Sequence, residues 1–372
     1  MSDEAETKLK QVTRREFLGG LTVAGISVPI VGAVAAGQAQ RPSRQITQKQ
    51  YEAMTAAARN FLNTLSPELR AKAVFPFKNE ERVHWHYIPT SVLPVSIQPI
   101  SFVRKGVSLK EMTKAQRIAA HSLLQSALST QGYLKATSII YLEEVLRDLE
   151  ISQGEDAKIR TLIRDPENYF FTIFGTPSKD APWGWRAEGH HLSLNFSSIS
   201  SELVAVTPSF MGANPALVPS GTHGGSRILA AEEDMARELL GKLDIKQSSQ
   251  AIIAATAPDE IVTGNSRKAS LKEFAGLPAL KMDGAQRELL MRLIEEYVNN
   301  VRPDFARSQL NRIQSAGVEK IHFAWAGGVE RGQPHYYRIH SPTLLIEYDN
   351  TQNNANVQDS FRSLAESQGR KE

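Results

Sequence analysis

The sequence predicts an α+β fold in which an antiparallel sheet, formed by middle and C-terminal strands, is covered by helices from three blocks. Three observations carry this. Apolar residues recur at helical spacing over residues 48–65 and 108–151, again over 228–243, and again over 285–301 and 304–316. Alternating or aromatic-rich patterns cluster instead over residues 169–206 and 321–348. Elements of one kind therefore arrive in runs, not in the strict alternation of a parallel α/β sheet.

In chain order, Tyr51, Met54, Ala58, Phe61, Leu62 and Leu65 mark the first helix. Residues 79–88 alternate Val83, Trp85 and Tyr87 with His84 and His86, which reads as a short strand. Ser108, with Glu111 three residues on, forms a capping box for a long helical region that Gly132 divides into a helical hairpin. Strands at 169–174, 183–188, 190–197 and 203–206 follow one another through short turns, as in an antiparallel meander. Proline and glycine make 208–226 a loop, and 257–284 shows neither period. Strands return at 321–325, 335–340 and 344–348. No internal repeat or low-complexity tract stands out. A single domain is expected over residues 48–356, with a linker at 40–47 and a polar tail at 357–372.

Residues 1–39 differ in character. Thr13-Arg14-Arg15-Glu16-Phe17-Leu18 precedes an uncharged run over residues 19–36, the pattern of a twin-arginine export signal. Gly19, Gly20, Gly25, Pro29 and Gly32 weaken that run as a helix, so no stable membrane anchor is expected. A small-x-small cleavage triplet is available at Ala33-Val34-Ala35 or Gly37-Gln38-Ala39. The expected partners are the twin-arginine export machinery and a small-molecule ligand, and the expected location is the periplasm or the cell exterior.

Composition narrows the chemistry. With a net charge of +3 the chain lacks the concentrated basic surface that nucleic-acid binding needs. It has no cysteine, which excludes thiolate zinc, iron–sulfur and lipid-anchored forms. Any metal must be held by His, Asp, Glu or Asn. Neither Gly-x-Ser-x-Gly nor His-Glu-x-x-His occurs, and Ser220-Gly221-Thr222-His223-Gly224-Gly225-Ser226-Arg227 lacks the Lys-Ser/Thr of a nucleotide loop. Glu232, Glu233 and Asp234 read as a solvated first helical turn.

Two groups remain as candidates. If His190 and His191 begin a strand, His191 shares a polar face with Ser193, Asn195 and Ser197, while His190 points to the core. In the C-terminal strands Glu347 and Asp349 share a face, and either His335 or His340 can join them. Imidazole and carboxylate together suit a hard or borderline divalent cation, with His191, His335, His340, Glu347 and Asp349 as the candidate ligands and His191, Glu347 and Asp349 as the candidate catalytic groups. His84 and His86 have ligand spacing too, but no third ligand stands nearby.

Several longer stretches point to a family. They include Gly184-Trp185-Arg186, Gly189-His190-His191-Leu192-Ser193-Leu194-Asn195-Phe196, Pro208-Ser209-Phe210, Phe323-Ala324-Trp325-Ala326-Gly327, Pro334-His335-Tyr336-Tyr337-Arg338-Ile339 and Ile346-Glu347-Tyr348-Asp349-Asn350-Thr351-Gln352. Together they resemble the bacterial family catalogued as domain of unknown function 3500, over residues 50–356. The resemblance implies an exported protein and names no reaction. It also implies a His-x-His pair after Asn-Ala-Asn, whereas here Asn354-Ala355-Asn356 runs into Val357-Gln358-Asp359-Ser360-Phe361-Arg362. Three functions fit these readings: a metal-assisted hydrolase or oxidoreductase, a periplasmic ligand-binding protein, and an interaction module.

Overall fold

The six apolar positions of the first helix all lie in the core of the computed structural model, none more than 8% exposed. The structure describes residues 42–200, 203–269, 271–352 and 356–363; residues 1–39, read above as an export signal, lie outside them. Helix α1 (Pro42–Thr64) leads to α2 (Pro67–Ala73), whose Ser66 cap accepts the amide of Leu69. The Ser108–Glu111 capping box forms as expected, but it caps a single 3-10 turn. The long helices beyond it are α3 (Lys114–Ala127) and α4 (Thr130–Ser152), divided at Ser129, whose hydroxyl accepts the Gly132 amide. They do not pack as a hairpin; α3 lies chiefly against α1. The remaining helices are α5 (Ala157–Ile163), α6 (Ala230–Gly241), α7 (Ile245–Ala251), α8 (Gly284–Val298) and α9 (Pro303–Ala316).

The described strands join in one sheet. They are β1 (Val74–Phe75), β2 (Val107–Ser108), β3 (Phe170–Phe174), β4 (Trp183–Gly189), β5 (Leu192–Ser200), β6 (Leu203–Ala205), β7 (Ser209–Ala213), β8 (Ile252–Ala254), β9 (Leu277–Pro278), β10 (His322–Gly327), β11 (His335–Ser341), β12 (Leu344–Gln352) and β13 (Asn356–Ser363). The main path is β1-β3-β4-β5-β7-β13-β12-β11-β10-β8, antiparallel except at the two outer pairs. The α+β prediction is correct. Its strand inventory gains the short strands β1, β2, β8 and β9, and three of its assignments change. Residues 79–88 form a 3-10 turn and extended chain, not a strand. The loop assigned to 208–226 begins with β7. The tail assigned to 357–372 begins with β13, which lies between β7 and β12 at the centre of the sheet.

That strand order is a palindrome, because the fold is an internal duplication. Apart from α5 and β6, which have no counterpart, the order α1-α2-β1-β2-α3-α4-β3-β4-β5-β7 recurs as α6-α7-β8-β9-α8-α9-β10-β11-β12-β13. The expectation of no repeat is therefore corrected. Gly106 to Arg117 corresponds to Gly276 to Arg287, with Met112/Met282 and Ala115-Gln116-Arg117/Ala285-Gln286-Arg287 shared. Thr113 and Asp283 cap the paired helices, each boxed by its glutamine. Gln116 and Gln286 then donate to the carbonyls of Thr64 and Lys242, where α1 and α6 end. The paired glycines have a common cause: both have φ of +100°, and a Cβ there would stand 2.5 Å from the Phe171 carbonyl or 2.2 Å from that of Phe323. Alanine at either should cost at least about 2 kcal/mol. Alanine at Gly154, which has φ of +97° but open space, should cost about 1 kcal/mol. Urea midpoints of the three variants check this.

The two faces of the sheet are covered differently. Trp185, Ala187, Leu194, Phe196, Met211, Ile339 and Ile346 share the main core with helical side chains. On the other face a separate small core joins Trp85 and Tyr87 to Phe210 and Ile261, under two long loops, residues 77–105 and 255–276. Buried polar groups staple those loops down. Arg186 donates to the carbonyls of Glu81 (2.8 Å) and His84 (3.0 Å). Glu347 accepts from the amide of Val262 at 2.7 Å and from the Thr263 hydroxyl. Nor is the first turn of α6 solvated: Glu232 is fully buried against Lys135, and Glu233 is buried against Arg227 and Arg237.

Candidate functional site

Gly189 and Leu192 pair across the β4–β5 hairpin, so His190 and His191 are its two turn residues and not the start of a strand. The alternation expected of them therefore fails. Their rings lie together, with centroids 3.8 Å apart, and His191 has φ of +58°, a left-handed conformation costly for a residue with a Cβ. The corresponding turn of the second half carries Pro342 and Thr343. Only the first half places imidazoles here.

The turn is fixed from several sides. Tyr169 donates its hydroxyl to the His190 carbonyl at 2.7 Å, the His191 amide donates to Tyr87, and the His191 carbonyl accepts from Gly212 of β7. Arg104, buried, donates one terminal nitrogen to the carbonyls of Gly189, His86 and Ile88, and the other to the Thr90 hydroxyl. A single guanidinium thus joins the turn to the 77–105 loop. Burial lowers its pKa to about 10, which leaves it charged.

The turn forms one wall of a cleft of about 850 Å³. The first half contributes His190, His191, Arg160, Arg164 and the loop around Ile88, Ile97 and Ile100. Asn214 follows β7, and the second half adds Asp259, Glu260 and Thr351. The cleft therefore opens along the seam between the duplicated halves, a common place for ligand sites.

Two features give it chemistry. His191 is 5% exposed, and neither ring nitrogen has a partner within the protein. A buried imidazole left so is costly, on the order of 1–3 kcal/mol per unsatisfied group. Beside it, His190 Nδ1 lies 2.6 Å from Glu143 Oε1 and 3.2 Å from Arg164 Nη1. Burial raises the Glu143 carboxyl to about 7 and holds both histidines well below the usual imidazole range. Near neutrality the pair has two protonation states that differ by one proton. With Glu143 ionised, Nδ1–H donates to it and Nε2 is a base; with Glu143 protonated, it donates to Nδ1 and Nε2–H is an acid.

The shifts have a consequence for stability. A histidine whose folded pKa is lowered contributes stability above about pH 6.5 that is lost as pH falls. Glu143, raised, does the opposite: its contribution is present at low pH and lost as pH rises through 7. Replacing His191 by glutamine should therefore flatten the acid side of the stability profile. Between pH 6 and 5 the slope should drop by about 1.4 kcal/mol per pH unit, measured by urea unfolding.

Of the candidate catalytic groups, the cleft contains His191 alone. Asp349 lies just behind its rim, accepting the Thr351 hydroxyl at 2.6 Å, with its own carboxyl raised to about 7 by burial. Glu347 is occupied as the staple of the 255–276 loop, where Tyr336 also donates to it at 2.9 Å. The proposed cation set does not converge. His335 is on the helix side, stacked on Trp325 and bonded to Arg237. His340 packs on Phe274, opposite Leu345. Among the described residues no group of three or more His, Asp or Glu is placed to hold a metal ion. His84 and His86 both pack on Phe102. Sequence reasoning missed Glu143, Arg164 and Arg104. Glu143 had a visible signal, a carboxylate inside the apolar stripe Ile139, Leu142 and Leu146 of α4.

A family model described as protein of unknown function (DUF3500) matches residues 47–363. The chain belongs to this family. No curated protein and no solved structure matches it. The DUF3500 match ends with the last residue of β13 and so takes in both duplicated halves. Among the described residues no helix is long and apolar enough to cross a membrane.

Proposed function

We propose that this is an exported protein that binds a small organic molecule in the seam cleft and acts on it by acid–base chemistry at His190. The observation that carries the reading is His191: a buried imidazole with two unpartnered nitrogens in a cleft wall is a site awaiting a hydrogen-bonding ligand. The Glu143–His190 pair beside it, with the Glu143 carboxyl raised to about 7, supplies a base when it has lost its shared proton and an acid when it holds it. Among the described residues the candidate cation ligands do not converge, so the reading rests on the histidine–carboxylate pair and not on a metal. Export rests on Arg14-Arg15 and the apolar run after it.

A specific observation favours a second reading, binding without catalysis. Of the hydroxyls in the wall, Thr351 Oγ1 is held by Asp349 and the Asp259 carbonyl, and that of Tyr87 by Glu260. A thermal-shift screen of polar fragments on wild type and His191→Ala tests the binding claim. Hits should stabilise wild type by several degrees and lose that effect in the variant. Hits indifferent to the substitution would contradict it. Turnover of a hit that disappears in Glu143→Gln then separates enzyme from binding protein.

A further inference from the structure

We infer that the cleft takes an amphiphile: a neutral hydrogen-bonding head at His191, carried on an apolar chain that lies along the loop of residues 89–103. This rests on the seam cleft being the ligand site. That loop exposes Val95 (75%), Ile100 (69%), Val103 (65%) and Ile97 (50%) within nine residues, while the site beside it is polar. Scattered apolar residues on a surface need no explanation, but a contiguous group at the mouth of a cleft does.

The loop is not held in place by its apolar side chains. Gln98, itself 4% exposed, directs its whole amide inward, accepting from the amides of Val92 and Leu93 and donating to the Thr90 carbonyl at 2.7 Å. Phe102 and Pro89 pair through their backbones, Pro94 and Pro99 fix φ, and Arg104 ties the loop's base to the histidine turn. The isoleucines are therefore presented on a rigid frame, and Ile97 and Ile100 continue directly into the cleft wall. A preorganised apolar surface leading to a buried polar group matches a ligand that is apolar at one end and polar at the other.

The head is assigned by charge. Arg160 and Arg164 face the cleft with Asp259 and Glu260, two charges of each sign. Arg164 is also paired with Glu150 at 2.8 Å and Arg160 with Glu155 at 2.6 Å, so neither arginine is left over for an anionic head. His191, kept neutral by burial, offers one donor and one acceptor, the complement of an amide or hydroxyl and not of a phosphate.

Calorimetric titration of the purified protein with acetamide, hexanamide and octanamide tests this. Affinity should rise about two- to fourfold per methylene. In Ile97→Ser/Ile100→Ser, whose sites are exposed and tolerate the change, that dependence should at least halve. In His191→Gln, affinity should fall about tenfold at every chain length. Binding that does not grow with chain length, growth unaffected by the serine pair, or no binding by octanamide overturns the inference. Loss in His191→Gln without chain-length dependence would sink the amphiphile and keep the cleft function. Dependence on Ile97 and Ile100 with indifference to His191 would keep the apolar chain on the loop but overturn the head at His191, and the cleft function with it.

Discussion

Replacing Lys135 by methionine should remove about 3–5 kcal/mol of stability, more than any exposed ion pair contributes. Lys135 on α4 reaches Glu232 at the start of α6 (2.5 Å) and Glu296 on α8 (2.6 Å), so one ammonium joins helices of both halves. Glu232 is fully buried and Lys135 is 8% exposed. Removing the cation leaves a carboxylate with no water and no counter-ion, which must protonate or unfold its surroundings. Glu296 is less constrained, since Gln131 also donates to it at 2.7 Å. The double variant Lys135→Met/Glu232→Met should therefore recover most of the loss. Urea midpoints read both variants, and a single variant that loses less than about 1 kcal/mol would contradict the argument.

Replacing Arg104 by methionine should cost a similar amount, about 3–5 kcal/mol, and abolish fragment binding as well. Four acceptors lose their donor at once: the carbonyls of His86, Ile88 and Gly189 and the hydroxyl of Thr90. Three of these belong to the 77–105 loop and one to the histidine hairpin, so the cleft wall comes apart where its halves are tied. Hydrogen exchange discriminates this from a general loss of stability. Amides of residues 86–98 should lose protection in the variant even at low denaturant, while those of β10–β12 keep theirs. Uniform loss of protection would show that Arg104 supports the whole fold and not this loop in particular.

The helices were legible because an amphipathic stripe is a local signal, complete within one segment. Tyr51 to Leu65 shows the stripe without help from any neighbour. β7 and β13 carry no such signal. Ser209-Phe210-Met211-Gly212-Ala213 is short and ends in small residues, and the β13 sequence is polar along most of its length. They are strands because each pairs with the other and with a longer neighbour, a fact of tertiary structure. The His190-His191 turn was hidden for the opposite reason. The alternation of Leu192, Leu194 and Phe196 extends backwards through it without a break, and no glycine or asparagine marks the turn positions. The duplication escaped because its shared residues, such as Gly106/Gly276 and Gln116/Gln286, are spaced by capping and close contact and not by hydrophobic period. His191 stood out by residue type, but its place in the seam depends on turn contacts with Tyr87, Tyr169 and Arg104, all distant from it in sequence.

The most direct test is the ring-nitrogen NMR spectrum of the histidines at pH 7, recorded without ligand and with each stabilising fragment. His191 should be neutral, with neither nitrogen bonded to a protein group, and binding fragments should move the His191 and His190 signals ahead of all others. Fragments that bind while those two signals stay fixed, or a His191 already bonded to another side chain in the free protein, would contradict the account.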